Sequence, residues 1–119
     1  EASQLTAAPI DAGLLAKLVA CYVANDADRE DPRCSPLVAK NLIGVPPALI
    51  NAAEHYALNP QIDAYADALR AAHVPVTLSR YAGMTHGFVH AFALLDRGRD
   101  AVVECSAALR TAFAKQSDG

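Results

Sequence analysis

The stretch Arg80-Tyr81-Ala82-Gly83-Met84-Thr85-His86-Gly87-Phe88 holds the residue best suited to chemistry, His86. It places a histidine in a glycine-flanked turn, just past a run with strand character and just before a helical stripe. An imidazole titrates near neutrality and can take and return a proton at pH 7, so a general base suits that position. At the carboxyl edge of a parallel sheet, where ligands bind, such a base would face its substrate. The plainer reading is a histidine that fills a turn and does no chemistry. The same stretch satisfies Gly-x-Thr-x-Gly through Gly83, Thr85 and Gly87, the spacing of a strand-to-helix nucleophile turn. Thr85 fails as a nucleophile on chain order. Such a turn is followed by an acid and then a histidine, and the only histidine past His86 is His90, four residues on.

Weaker candidates have plainer readings beside them. His86 and His90, at i and i+4, share a helix face that could meet zinc, but no Glu follows in the His-Glu-x-x-His manner and no third ligand is evident. Cys21 and Cys105 fall on apolar helical stripes and read as small packed hydrophobes rather than thiolates. Asp26, Asp28, Glu30 and Asp31 form an acidic cluster without the glycine and closing glutamate of a calcium loop, so it reads as a solvated loop. Tyr22, Tyr65, Phe88 and Phe92 read as core rather than as a ligand cage.

The elements that must carry His86 follow from periodicity. Asp11 can cap a helix whose stripe is Leu14, Leu15, Leu18, Val19, Tyr22 and Val23, ending near Asn25. Residues 25–47, rich in Asp, Pro and Gly, predict a long loop with one short helical turn around Leu37–Asn41. Ala48 to Ala53 fits a buried strand or a helical piece, and Pro46-Pro47 ahead of it favours the strand. Ile62, Tyr65, Ala66, Leu69 and Ala72 predict a helix starting near Pro60. Val74, Val76 and Leu78 alternate with Pro75, Thr77 and Ser79 as a second strand, and Ala82–Thr85 reads as a turn. Phe88, Phe92 and Leu95 form a helical stripe leading to Arg97–Asp100. A last helix carries Val102, Val103, Leu109, Ala112 and Phe113, with a frayed tail over 114–119.

Strand, helix and strand with a crossover of about twenty residues make a right-handed parallel βαβ unit. The expected fold class is therefore α/β, two parallel strands flanked by three to four helices. Two parallel strands leave an unpaired ladder on each side. Either another copy pairs with them or the rest of the sheet is encoded elsewhere.

Composition agrees. A chain of 119 residues holds one domain at most. Its hydrophobic fraction is 53%, its charged fraction only 19% and its mean hydropathy +0.15, which predicts a surface that expects to be covered. The net charge of −3 argues against nucleic acid or an anionic membrane as partner. Three cysteines with no C-x-x-C spacing fit a reducing, cytoplasmic setting. No run of 18 apolar residues predicts a membrane span, and no signal peptide precedes the first helix, although the chain opens with Glu1 rather than Met.

Several segments together carry a resemblance. Tyr81-x-Gly83-Met84-x-His86-Gly87-Phe88 resembles the catalytic-histidine segment of the hormone-sensitive-lipase-type carboxylesterases of the α/β-hydrolase superfamily. Asp28 to Leu37 is similar to the family's "aDprxSPL" segment, and Leu42-x-Gly44-Val45-Pro46-Pro47-Ala48-Leu49-Ile50 to its lead into the seventh strand. Ala64-Tyr65-Ala66 and Leu69 to Val76 are similar to its next helix and strand. The likeness runs from residue 10 to residue 113 and corresponds to the last third or so of such an enzyme. It implies a partial α/β-hydrolase domain spanning 1–119 and hydrolysis of short-chain carboxylic esters through an acyl-serine intermediate, with no metal or cofactor. His86 matches the family's general base. The family's acid segment reads Ala-Glu-x-Asp-Pro-Leu, and here Ala53-Glu54-His55-Tyr56-Ala57-Leu58 puts Tyr56 where the Asp belongs. Downstream, Asn59-Pro60-Gln61-Ile62 replaces Arg-Asp-Glu-Gly. A phenol is neutral at pH 7 and cannot stabilise the imidazolium by charge. Losing the charge of a triad Asp costs about 10⁴ in kcat in the serine proteases. Glu54 is the possible substitute acid, or else a solvated or arginine-paired residue at a strand end.

The family's His-Gly-Gly-Gly and Gly-Asp-Ser-Ala-Gly segments are absent from these residues. The partners implied are the missing N-terminal part of the same protein or a second copy, and a small ester once the site is whole. The isolated chain is expected to be inactive. The alternative is a non-catalytic, self-associating remnant in which Tyr56 records loss of the acid.

Overall fold

The apolar stripe from Leu14 forms helix α1, Ala12–Tyr22, in the computed structural model of the chain, which describes residues 12–117. Asp11, the expected cap, lies outside the described residues. The loop that follows holds two 3-10 turns, Asp26–Glu30 and Pro36–Val38. The second starts one residue earlier than the turn expected at Leu37–Asn41, because Pro36 supplies the fixed φ of a first helical position.

Beyond Pro46-Pro47, Ala48–His55 forms β1 and Val76–Thr85 forms β2. They run parallel, with Ala48 opposite Val76 and so on to Ala53 opposite Tyr81. Between them lies α2, Asn59–Ala71, with proline in its first turn. His73, in left-handed backbone at φ 61°, ends that helix. Val74 N–H donates to Leu69 O at 3.0 Å and His73 N–H to Arg70 O at 2.9 Å, the paired bonds of a Schellman close. The expected βαβ unit is therefore present, with two boundary corrections. The second strand begins at Val76, not Val74, and it runs on through Ala82–Thr85, which composition reads as a turn.

The last helix, α3, spans Asp96–Ser117 and takes in Arg97–Asp100. The stripe before it closes only as a 3-10 turn, Phe88–Ala91. Gly98 lets this helix lie close against the turn: a Cβ there would stand 2.8 Å from Phe88 O and 3.0 Å from Phe92 Cα. This glycine serves close approach of helix and turn, not helix breaking. The helix is assigned to Ser117, and residues 118–119 of the expected frayed tail lie outside the described residues.

Alternation along a strand sends successive side chains to opposite faces. Arg80 pairs with Asp63 of α2 on one face. On the other, Ser79 and Tyr81 reach Glu104 of α3, and Asn51 reaches Cys105 and Ala101 O. The Ser79 face is thus covered, through polar contacts that the apolar pattern of Val74, Val76 and Leu78 does not announce.

The buried apolar set is small: Ala52, Ala53, Ala66, Leu69, Val74, Tyr81, Phe88 and Ala101. Large apolar side chains stand in water, among them Ile43 (75% exposed), Leu94 (87%) and Leu109 (55%). The sheet contains β1 and β2 alone, so each keeps one edge unpaired among the described residues. The radius of gyration is 16.7 Å, against about 13.5 Å for a compact domain of this length. No helix among the described residues is long and apolar enough to cross a membrane.

Candidate active site

Both strands end at one edge, and their ends are out of step. From Ala53–Tyr81 to the next pair, His55–Thr85, β1 advances by two residues and β2 by four. The surplus in β2 is a bulge, a device that bends a strand and re-aims the side chains after it. Gly83 provides the left-handed backbone it needs, at φ +74°. Gly83 N–H donates to Glu54 Oε2 at 2.6 Å. The same oxygen lies 3.7 Å from His55 Nε2.

His86 leaves the strand immediately after this bulge. Gly87, at φ +83°, turns the chain, and Phe88 plugs into the core with Ala53, Tyr81 and Ala101. The Phe88 and Tyr81 rings meet at 4.9 Å between centroids, tilted by 40°. The imidazole of His86 therefore rides on an anchored turn, exposed beyond the carboxyl ends of β1 and β2.

Tyr56 follows β1 directly. Its ring stacks on His86, centroids 4.5 Å apart and planes 21° from parallel. The contact is face to face, so it holds the plane of the imidazole by dispersion and ring electrostatics rather than by a hydrogen bond to a ring nitrogen. Among the described residues no carboxylate is paired with His86, and Glu54 is engaged with Gly83 and His55 instead. Asn59, the first residue of α2, closes the turn: its Nδ2 donates to Ala53 O at 3.0 Å and to Glu54 O at 2.9 Å. A crevice of about 420 Å³ opens beside Tyr56, bounded by Ser35–Leu37 and by Leu58, Gln61, Ile62 and Tyr65.

Other sequence candidates fall elsewhere. Tyr22 is 78% exposed and Phe92 51% exposed, so neither is core; Tyr65 lines the crevice and Phe88 alone of the four is buried. Cys21 is exposed, while Cys105 takes a hydrogen bond from Asn51 Nδ2 at 3.3 Å. In the acidic loop Asp26 pairs with Arg29, Asp28 accepts Asn25 N–H, and Asp31 is forked by Arg33. The hydrogen bonds from Arg33 hold the Asp31 carboxyl down at about 2. His90 sits within the 3-10 turn and His86 ahead of it.

These features meet in known proteins. Residues 2–90 match the family model for the alpha/beta hydrolase fold, three quarters of the chain. The chain belongs to the α/β-hydrolase family. Carboxylic ester hydrolase LipN of Mycobacterium tuberculosis is 46% identical over 70 residues, 59% of this chain and 19% of that protein. An arylesterase of Saccharolobus solfataricus is 35% identical over 81 residues, 68% of this chain and 25% of its own. Among solved structures, the thermostable carboxylesterase EstE1, cloned from a metagenomic library, superposes with a TM-score of 0.82 at 31% identity. That superposition covers 92% of this chain and 36% of EstE1. The chain thus spans about a fifth to a third of the α/β-hydrolase relatives it matches. The resemblance to hormone-sensitive-lipase-type carboxylesterases is borne out, as is the partial α/β-hydrolase fold of two parallel strands and three helices.

Sequence reasoning did not single out Asn59, the Gly83 bulge, or Glu104, which accepts hydrogen bonds from Ser79 at 2.5 Å and Tyr81 at 2.6 Å. Asn59 had a local signal, an amide side chain at a strand-to-helix turn. Glu104 had only its place beside an apolar stripe.

Proposed function

We propose that this chain is the histidine-bearing part of a serine carboxylic ester hydrolase for small esters, one partial domain acting in the cytoplasm, with His86 as general base. The observation that carries the reading is the pose of His86: on an anchored turn past the carboxyl ends of two parallel strands, exposed, its ring set by Tyr56 at the acid position. The ester hydrolases among its relatives support the reaction class. Three free thiols support a reducing compartment.

In the proposed reaction neutral His86 takes the proton of a serine hydroxyl as its oxygen bonds to the ester carbonyl carbon. The imidazolium then returns that proton to the departing alkoxide, leaving an acyl-serine. Water is activated in the same way, and its attack releases the carboxylic acid and restores the serine. The serine and the oxyanion donors belong to the remaining part of the same protein, the partner this site requires. Tyr56 fixes the ring plane but places no negative charge beside the imidazolium, so catalysis is slow even in the whole assembly.

Two measurements test this. The purified chain should hydrolyse p-nitrophenyl acetate no faster than imidazole; a rate well above imidazole that disappears in His86→Ala would overturn it. Grafted in place of the matching third of the metagenomic carboxylesterase, residues 12–117 should give weak turnover that Tyr56→Asp raises by about 10²–10⁴.

The exposed apolar side chains and open strand edges favour a second reading, a non-catalytic module that pairs with a second copy of itself. Light scattering on the purified chain separates the two: a monodisperse monomer at micromolar concentration removes the second.

A further inference from the structure

Placing the base at His86 leaves Glu54 without a role, and the geometry points to one. We propose that Glu54 is a positioning residue, whose carboxylate staples the β2 bulge to the end of β1 and so holds the His86 turn against Tyr56. Its functional meaning rests on the reading of His86 as base; the staple itself is a matter of backbone geometry.

A bulge takes its extra residues out of the strand ladder, and their amides need other acceptors. Here the amide is Gly83 N–H and the acceptor is Glu54 Oε2, at the 2.6 Å of a short, charge-assisted bond. Gly83 lies three residues before His86, and Thr85 pairs back to His55 between them. The staple therefore fixes the point from which the histidine departs. On the far side Phe88 is buried in the core, and across the edge Tyr56 meets the ring. Without Glu54 the turn keeps its Phe88 anchor and the Thr85–His55 pairing but loses the tie on the bulge itself. The backbone under Glu54 is itself held, since Asn59 Nδ2 takes the carbonyls of Ala53 and Glu54. A carboxylate oxygen committed to Gly83 and facing His55 is poorly placed to serve as the acid for His86 as well.

Nuclear magnetic resonance on the labelled full chain tests the staple without any need for ester hydrolysis. Three quantities are read in wild type, Glu54→Gln and Glu54→Ala: Gly83 amide exchange, the ring-current shift that Tyr56 imposes on His86, and the His86 titration midpoint. Tyr56→Ala identifies the ring-current contribution, and the Tyr81 and Phe88 resonances report that each variant is folded.

Glu54→Ala should speed Gly83 exchange about tenfold, the scale of one hydrogen bond to a charged group. It should also move the His86 ring signals toward their positions in Tyr56→Ala. Glu54→Gln keeps an acceptor oxygen and should restore most of both. Its His86 midpoint should stay within about 0.3 of wild type, since no charge pairing is lost. Unchanged exchange and ring shifts in Glu54→Ala would overturn the proposal. So would a His86 midpoint lowered by about one unit or more in Glu54→Gln, because Glu54 would then be the charge partner of the imidazole. The chimera's turnover answers for His86 as base and these spectra for the staple, so either can fail alone.

Discussion

The two helices on opposite faces of the sheet are attached by different means. α2 buries Ala66 and Leu69 completely and is closed at both ends within the chain, by Asn59 on the strand carbonyls and by the left-handed His73. α3 is longer, yet among its residues of described burial only Ala101 and Gly98, near its start, are buried. Further along it holds the sheet through Glu104 and Cys105, while Val103, at 60% exposure, and Leu109, at 55%, face outward. Both faces of the sheet bury apolar side chains, Leu69 and Ala66 under α2 and Ala53, Tyr81 and Phe88 with Ala101 under α3, and the second face adds a polar clamp and a close glycine contact. What this teaches is where the chain carries its own stability: in the βαβ unit that presents the candidate site.

That contrast can be broken or sharpened by substitution. The largest effect is expected at Leu69→Ala, which empties the one large side chain with no exposure and should cost about 3 kcal/mol in urea unfolding followed by circular dichroism. A loss below about 1 kcal/mol would mean the α2 face is not the stable one. Next, Gly98→Ala sets a Cβ against backbone that cannot yield easily, and a cost of about 2 kcal/mol is expected by the same measurement.

Glu104→Ala should cost about 1–2 kcal/mol at neutral pH by stranding the hydroxyls of Ser79 and Tyr81. Its pH dependence follows from two shifts. Hydrogen bonds from Ser79 and then Tyr81 lower the Glu104 carboxyl below its ordinary 4.5, so its contribution is present above that value and is lost as pH falls through the lowered one. Burial, and then the bond to Glu104, push the Tyr81 phenol up from 10.0, so its contribution is present below pH 10 and lost as pH rises beyond it. Melting curves of wild type and Glu104→Ala should therefore converge toward acid pH. A gap that persists at pH 2 would show that packing, not the carboxylate, sets the cost. The smallest effect belongs to Leu109→Ser, expected within about 0.5 kcal/mol of wild type, as for an exposed position. A cost above 1 kcal/mol would show that the outer face of α3 is covered in solution.

Most of the frame was legible from residue order. The stripe of Ile62, Ala66 and Leu69, the two prolines before Ala48 and the proline in the first turn of α2 are local signals, and the elements follow them. The misread segments are those where one composition serves two purposes. Gly83 marks a turn in most sequences and a bulge here, and the helical stripe of Phe88, Phe92 and Leu95 closes only as a 3-10 turn. The site was legible in its residues and not in their relations. His86 and Tyr56 stood out by motif, but their ring stack brings together residues from either side of α2. Glu104 meets Ser79 and Tyr81 across 25 and 23 residues of chain, a separation no periodicity reports.

By itself, then, the amino-acid order determined the strand–helix–strand unit, the family, and which imidazole stands at the sheet's edge, because helical and strand periods are properties of neighbouring residues. Only the folded chain decided that Glu54 turns to a backbone amide and that Tyr56 lies flat on His86. Those partners are chosen by a two-residue mismatch between strands that are far apart in sequence and meet only when α2 folds them side by side.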